Sequence, residues 1–180
     1  MTSRITPVDP AVAQEKAREL LTSVKAKLGV VPNMMKTMAH SPALLEGYLA
    51  FSGALAKGTL SAATREQIAL AVSQHNGCEY CLSAHTMLAK RAGVSAEEAL
   101  AAREGTSHDP KTQAVLSLAH QIIESHGDVS DDQFAEARDA GLSDAEIAEV
   151  VGNVALSTLT NYFNELVHTE VDFPRVPVHA

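Results

Sequence analysis

The chain has 180 residues, 46% of them hydrophobic, enough for one domain whose core buries about 70% of the unfolded surface, and no second domain is needed. With 22 acidic against 14 basic side chains the net charge is −8, and no basic stripe with interleaved aromatics occurs, which argues against nucleic acid or an anionic membrane as a partner. No apolar run reaches the roughly 20 residues of a membrane span, Met1 to Pro7 has no apolar signal core, and two cysteines are the whole thiol content, so a cytoplasmic location with reduced thiols is expected.

In chain order, Asp9-Pro10 supplies an N-cap and a proline at the first helical position, predicting a helix through Leu20 and Leu21 to Gly29. Ser41-Pro42 does the same for a helix ending near Gly58. Ser61 caps the next, Ala62 to about Asn76, which carries Glu66. A tight Asn76-Gly77 turn folds that helix back against one opened by Glu79-Tyr80-Cys81-Leu82 and closed by Gly93. Ser95 with Glu98, Ser130 with Gln133, and Ser143 with Glu146 have capping-box spacing. Asp109-Pro110 opens a helix through His120 to about Ser125, ended by Gly127. The final helix carries Ile147, Val150, Val151, Val154 and Leu159 toward Phe163 and Leu166. No sustained alternation with hairpin chemistry occurs, so the fold is expected to be all-α, a single-domain bundle of roughly eight helices. Its core spans about 9–168. In the tail, 169–180, Pro174 and Pro177 prevent a helix and lay the chain extended over a neighbour.

The chemistry concentrates in Cys78-Glu79-Tyr80-Cys81, with His85 four residues on and Glu66 in the preceding helix. A thiol attacks as its thiolate, and a helix start stabilises an anion through its unpaired N–H groups and dipole. Both sulfurs are expected in that first turn. Cysteines at i and i+3 share a face and can close a disulfide, and His85 on the same face can take the proton of Cys81 or stabilise its thiolate as a cation. Glu66 can orient His85. Other readings compete. Cys-x-x-Cys can be half of a zinc site, but structural zinc takes four ligands and only Cys78, Cys81 and His85 cluster. A purely structural disulfide would close too small a loop to stabilise much. Tyr80 by default is a packed aromatic, with a secondary role at the site as the alternative. Of the other histidines, His75 fits a surface position at a helix end, with an approach to the site from the preceding helix as the alternative, His120 a buried, hydrogen-bonded residue, and His40, His108, His126, His168 and His179 fall at loops or helix ends.

The run from Arg65-Glu66-Gln67-Ile68-Ala69-Leu70 through Cys78-Glu79-Tyr80-Cys81-Leu82-Ser83-Ala84-His85 resembles the signature of the AhpD-like alkylhydroperoxidases within the carboxymuconolactone decarboxylase superfamily. Val31-Pro32-Asn33-Met34 with Ser41-Pro42, and Asn161-Tyr162-Phe163-Asn164 with Asp172-Phe173-Pro174, resemble its peroxidase-related branch, so the likeness covers most of the chain. The resemblance implies an AhpD-like fold and a thiol-dependent peroxidase with a part in antioxidant defence. Cys81 would be oxidised by the hydroperoxide to a sulfenic acid, Cys78 would resolve it as a disulfide, and Glu66 and His85 would relay protons. It further implies a homo-oligomer, trimer or hexamer.

One departure stands out. The family's best-studied members carry a second histidine just before the second cysteine, where this chain has Tyr80, which cannot act as a base near neutral pH. The relay is expected to be shorter and the peroxidase slower. The decarboxylase side of the superfamily lacks the cysteine pair, so lactone decarboxylation is disfavoured. No Gly-rich dinucleotide fingerprint occurs, so no bound cofactor is expected, and reducing power would come from an external dithiol, a thioredoxin-like protein or a lipoyl-type dithiol. The alternative of another class is a non-enzymatic redox-sensing or disulfide-exchange helical oligomer. Tyr48, Phe51, Met87 and Leu88 are candidate linings for the substrate pocket.

Overall fold

The computed structural model describes residues 3–178, and among these it contains helices and no strand. The elements are α1 (Glu15–Leu28), α2 (Asn33–Met38), α3 (Pro42–Leu55), α4 (Ala62–His75), α5 (Glu79–Arg91), α6 (Ala96–Arg103), α7 (Pro110–Ser125), α8 (Asp131–Asp139) and α9 (Asp144–Val167). The centre is α4, buried without interruption from Gln67 to Ser73 and packed on α5, α6, α7 and α9. A helix apolar all round belongs in the interior, which is why Ile68-Ala69-Leu70-Ala71-Val72 shows no polar face. One apolar cluster joins Ile68, Leu70 and Val72 to Leu82, Leu116 and Val150. A second joins Leu21, Met34, Met38 and Leu45 to Cys78, Tyr80 and Cys81, so the dithiol is part of a core.

Short-range capping accounts for most helix starts. Ser41, Ser61, Ser95, Asp109, Ser130 and Ser143 each accept a hydrogen bond from the backbone N–H three residues on. Complete capping boxes form at Ser130 with Gln133 and at Ser143 with Glu146. At Ser95 only half forms, because the Glu98 carboxylate is drawn to the Ser107 hydroxyl and to His108, whose ring lies 2.6 Å away.

One expectation is corrected, and the structure adds a short helix and the two faces of α9. Asp9-Pro10 does not start α1. The Asp9 carboxylate caps only a single turn by accepting from the Ala11 N–H at 2.9 Å, and the helix begins at Glu15 after Gln14, which makes no side-chain cap. The short helix α2 was not anticipated, since its opening residue Asn33 is tied down by a distant partner, the Asp172 carboxylate, which accepts from the Asn33 N–H at 2.8 Å. In α9, Val150 and Val154 are buried, but Val151, Leu159 and Leu166 face outward.

The tail runs extended over its own chain. Val171 and Phe173 join the dithiol's apolar cluster, the Val176 N–H donates to Ser83 Oγ at 3.0 Å, and Arg103 donates to the Pro177 carbonyl at 2.7 Å. Among the described residues no helix is long and apolar enough to cross a membrane.

Candidate active site

The turn between α4 and α5 presents the dithiol. Gly77 takes a left-handed φ of 69°, and the Cys78 N–H then donates to the Ser73 carbonyl at 2.9 Å, which reverses the chain. Cys78 is itself the N-cap of α5, its sulfur accepting from the Cys81 N–H at 3.4 Å. Both sulfurs therefore sit at the helix start, as expected, with one of them doing the work of a capping oxygen. Both thiols are free and buried, Cys78 fully and Cys81 to 2% exposure.

His85, one turn after Cys81, places Nδ1 2.7 Å from the Glu66 carboxylate, across from α4. A carboxylate only accepts, so Nδ1 carries the proton, which leaves Nε2 as the nitrogen free to exchange one. The pair is less enclosed than the sulfurs, with side chains 25% and 22% exposed, and so connects the buried dithiol to solvent.

From the far side α9 contributes two asparagines whose role the sequence reading did not identify. Asn164 donates its amide to Cys81 Sγ and to Met34 Sδ, each at 3.3 Å, while its own carbonyl oxygen is buried without a hydrogen-bond partner. Asn161, fully buried, donates to Ser73 Oγ at 3.1 Å and accepts from the Asn76 side chain at 3.0 Å, tying α9 to the turn. The available signal was two amides at i and i+3, which share one helix face, a costly arrangement in a core unless each is satisfied.

Burial alone would push the Cys81 thiol up. The Cys78 hydrogen bond, the His85 charge and the amides of Asn164 and Asn161 outweigh it and bring Cys81 down to about 7. Cys78 moves the opposite way, held well above the usual thiol range by its hydrogen bond to Cys81 and by burial. The two shifts run in opposite directions and make Cys81 the sulfur that ionises first. Burial works against a charged His85, but Glu66 and the Cys81 thiolate more than compensate and raise it. Tyr48 is pushed up to about 12, first by burial and then by the nearby Cys81 and Glu66 charges, which puts its ring beside the site.

The remaining candidates sort by position. The Tyr80 hydroxyl accepts from the Met34 N–H at 3.2 Å, and its ring meets Phe173 edge-on at 5.5 Å, so this aromatic clamps α2 and the tail against α5. Phe51 lies beside Gly152, at the packing of α3 on α9. His120 is not buried: its side chain is 55% exposed, because it lies on the outer face of α7. His75 sits at the exposed end of α4, His126 and His168 are left-handed helix caps, and His40 contacts the Thr6 carbonyl at 2.8 Å. His179 lies outside the described residues.

Comparison with known proteins bears on the fold and on the segment that carries these residues. The model of the carboxymuconolactone decarboxylase family matches residues 42–108, the stretch that holds Glu66, Cys78, Cys81 and His85. Among curated proteins none matches. The chain is similar to the alkylhydroperoxidase AhpD core of an uncharacterized peroxidase-related protein from Ralstonia eutropha JMP134, with 25% identity over 97% of each chain and a TM-score of 0.85. A peroxidase-related protein from Silicibacter sp. TM1040 shares the fold at 21% identity, covering 92% of this chain and 91% of its own, with a TM-score of 0.78. So does the debrominase Bmp8, at 22% identity over 96% of this chain and 94% of its own, with a TM-score of 0.79. The all-helical fold is the one shared with these AhpD-like and peroxidase-related proteins, and residues 42–108 are the segment similar to the carboxymuconolactone decarboxylase family.

Proposed function

We propose that the protein is a thiol-dependent peroxidase that reduces hydroperoxides through Cys81 and Cys78. The observation that carries this reading is the split between the two sulfurs, a thiol lowered to about 7 in hydrogen-bond contact with one held protonated. His85 takes the proton of Cys81. The thiolate attacks the terminal peroxide oxygen, the O–O bond breaks, Cys81 becomes a sulfenic acid, and the alkoxide leaves with the proton that His85 returns. Cys78 then attacks the sulfenic sulfur, water departs, and a disulfide forms. An external dithiol, thioredoxin-like or lipoyl-type, supplies two electrons and two protons to restore both thiols. Glu66 keeps His85 oriented and its charge favourable throughout.

The same constellation supports a second reading because both sulfurs are buried: a redox sensor whose disulfide alters an interface without turnover. The test is intact mass and free-thiol count on reduced protein before and after a slight excess of hydroperoxide, followed by cycling with a dithiol. Rapid loss of both thiols, abolition of turnover in Cys81→Ser and a trapped sulfenic acid in Cys78→Ser are the expected results. Full activity in Cys81→Ser would sink the assignment. Oxidation without cycling on any reductant would favour the sensor.

A further inference from the structure

We propose that His75, His120 and Glu124 form a binding site for one divalent ion of the zinc type, separate from the dithiol. Among the described residues this is the one set of three His, Cys or carboxylate side chains whose ligand atoms converge, all within 4.8 Å of one another. His120 and Glu124 lie one turn apart on α7, and His75 is the last residue of α4. Glu124 Oε1 is 3.8 Å from His75 Nδ1 and 3.7 Å from His120 Nε2. Both separations are too long for hydrogen bonds. They are close to the spacing around an ion, since ligand atoms on a tetrahedral zinc with bonds of 2.0–2.2 Å stand about 3.3–3.6 Å apart. The three ligand atoms lie within 4.8 Å of one another, so closing on an ion takes a movement on the order of 1 Å, which rotation of these surface side chains supplies.

Two imidazoles and one carboxylate favour zinc over magnesium or calcium, and such a set leaves a fourth position open. His75 and Glu124 also line a cleft of about 780 Å³ with Thr158, Leu159 and Tyr162, so the fourth donor can be water or a molecule lodged there. The ion would tie the end of α4 to α7. That end leads directly into Asn76, whose amide holds Asn161, and so braces the turn that presents the dithiol.

The test titrates zinc chloride by calorimetry into the Cys78→Ser/Cys81→Ser protein, because the thiols are themselves zinc ligands. The expected result is one zinc per chain with a raised melting temperature, and binding weakened on the order of tenfold or more in both His120→Ala and Glu124→Gln. Both side chains are more than half exposed, so the variants are expected to fold as the parent, as circular dichroism would verify. No heat and no melting shift, zinc binding unchanged in both variants, or magnesium binding as tightly as zinc would each overturn the proposal.

Discussion

Glu66 acts on Cys81 without touching it. Its charge raises His85, and the imidazolium then lowers the thiol, so removing the charge should be read at the sulfur. In Glu66→Gln the pH profile of Cys81 alkylation by iodoacetamide should move up from a midpoint near 7 toward the ordinary thiol value of 9.0. Asn164→Leu, which removes a neutral donor in place of a charge, should move it the same way by less. An unchanged midpoint in Glu66→Gln would break the relay. The thermodynamic sign follows from the lowered pKa: ionisation of Cys81 adds stability above about pH 9, and that contribution is lost as pH falls through about 7.

At the scale of elements, helix starts carry separable increments of stability. Ser143 accepts from the Glu146 N–H at 3.3 Å, and Glu146 accepts from the Ser143 N–H at 2.9 Å. Ser143→Ala should therefore cost about 1 kcal/mol, read as a lower urea midpoint with an unchanged slope. A wild-type midpoint in this variant would count against the cap. These caps were legible in the sequence because donor and acceptor are three residues apart, and so was the Cys-x-x-Cys helix with Glu66 across an Asn-Gly turn. What was not legible depends on distant partners. Asn33 opens α2 only because Asp172 reaches it from the tail, Glu98 abandons its box for Ser107 and His108, and Asn164 gains its role only when α9 packs against Cys81. His120 reads as a core residue from its position inside a helix, but which face of α7 is outward is decided by the packing of α4, α8 and α9.

Across the whole molecule, α9 divides its two faces between chemistry and surface. Asn161 and Asn164 point inward to the dithiol's surroundings, while Val151, Leu159, Tyr162 and Leu166 form an exposed apolar stripe on the opposite side. Their spacings of eight, three and four residues keep them on one face, and Tyr162 and Leu166 are 64% and 67% exposed. Exposed apolar side chains aligned on one helix face are a surface on which a partner can bury area. A second copy of the chain is the occupant we propose, in keeping with the expected homo-oligomer. Covering the outer face would also hold α9 against α4 and α5, and so steady the Asn164 amide on Cys81. Sedimentation of the wild-type protein should then show an assembly larger than a monomer. Tyr162→Glu, which puts a charge in the middle of the stripe while leaving the inward face unaltered, should shift it to the monomer with its helical content preserved. A wild-type protein that sediments as a monomer at every concentration would show that the stripe serves another purpose.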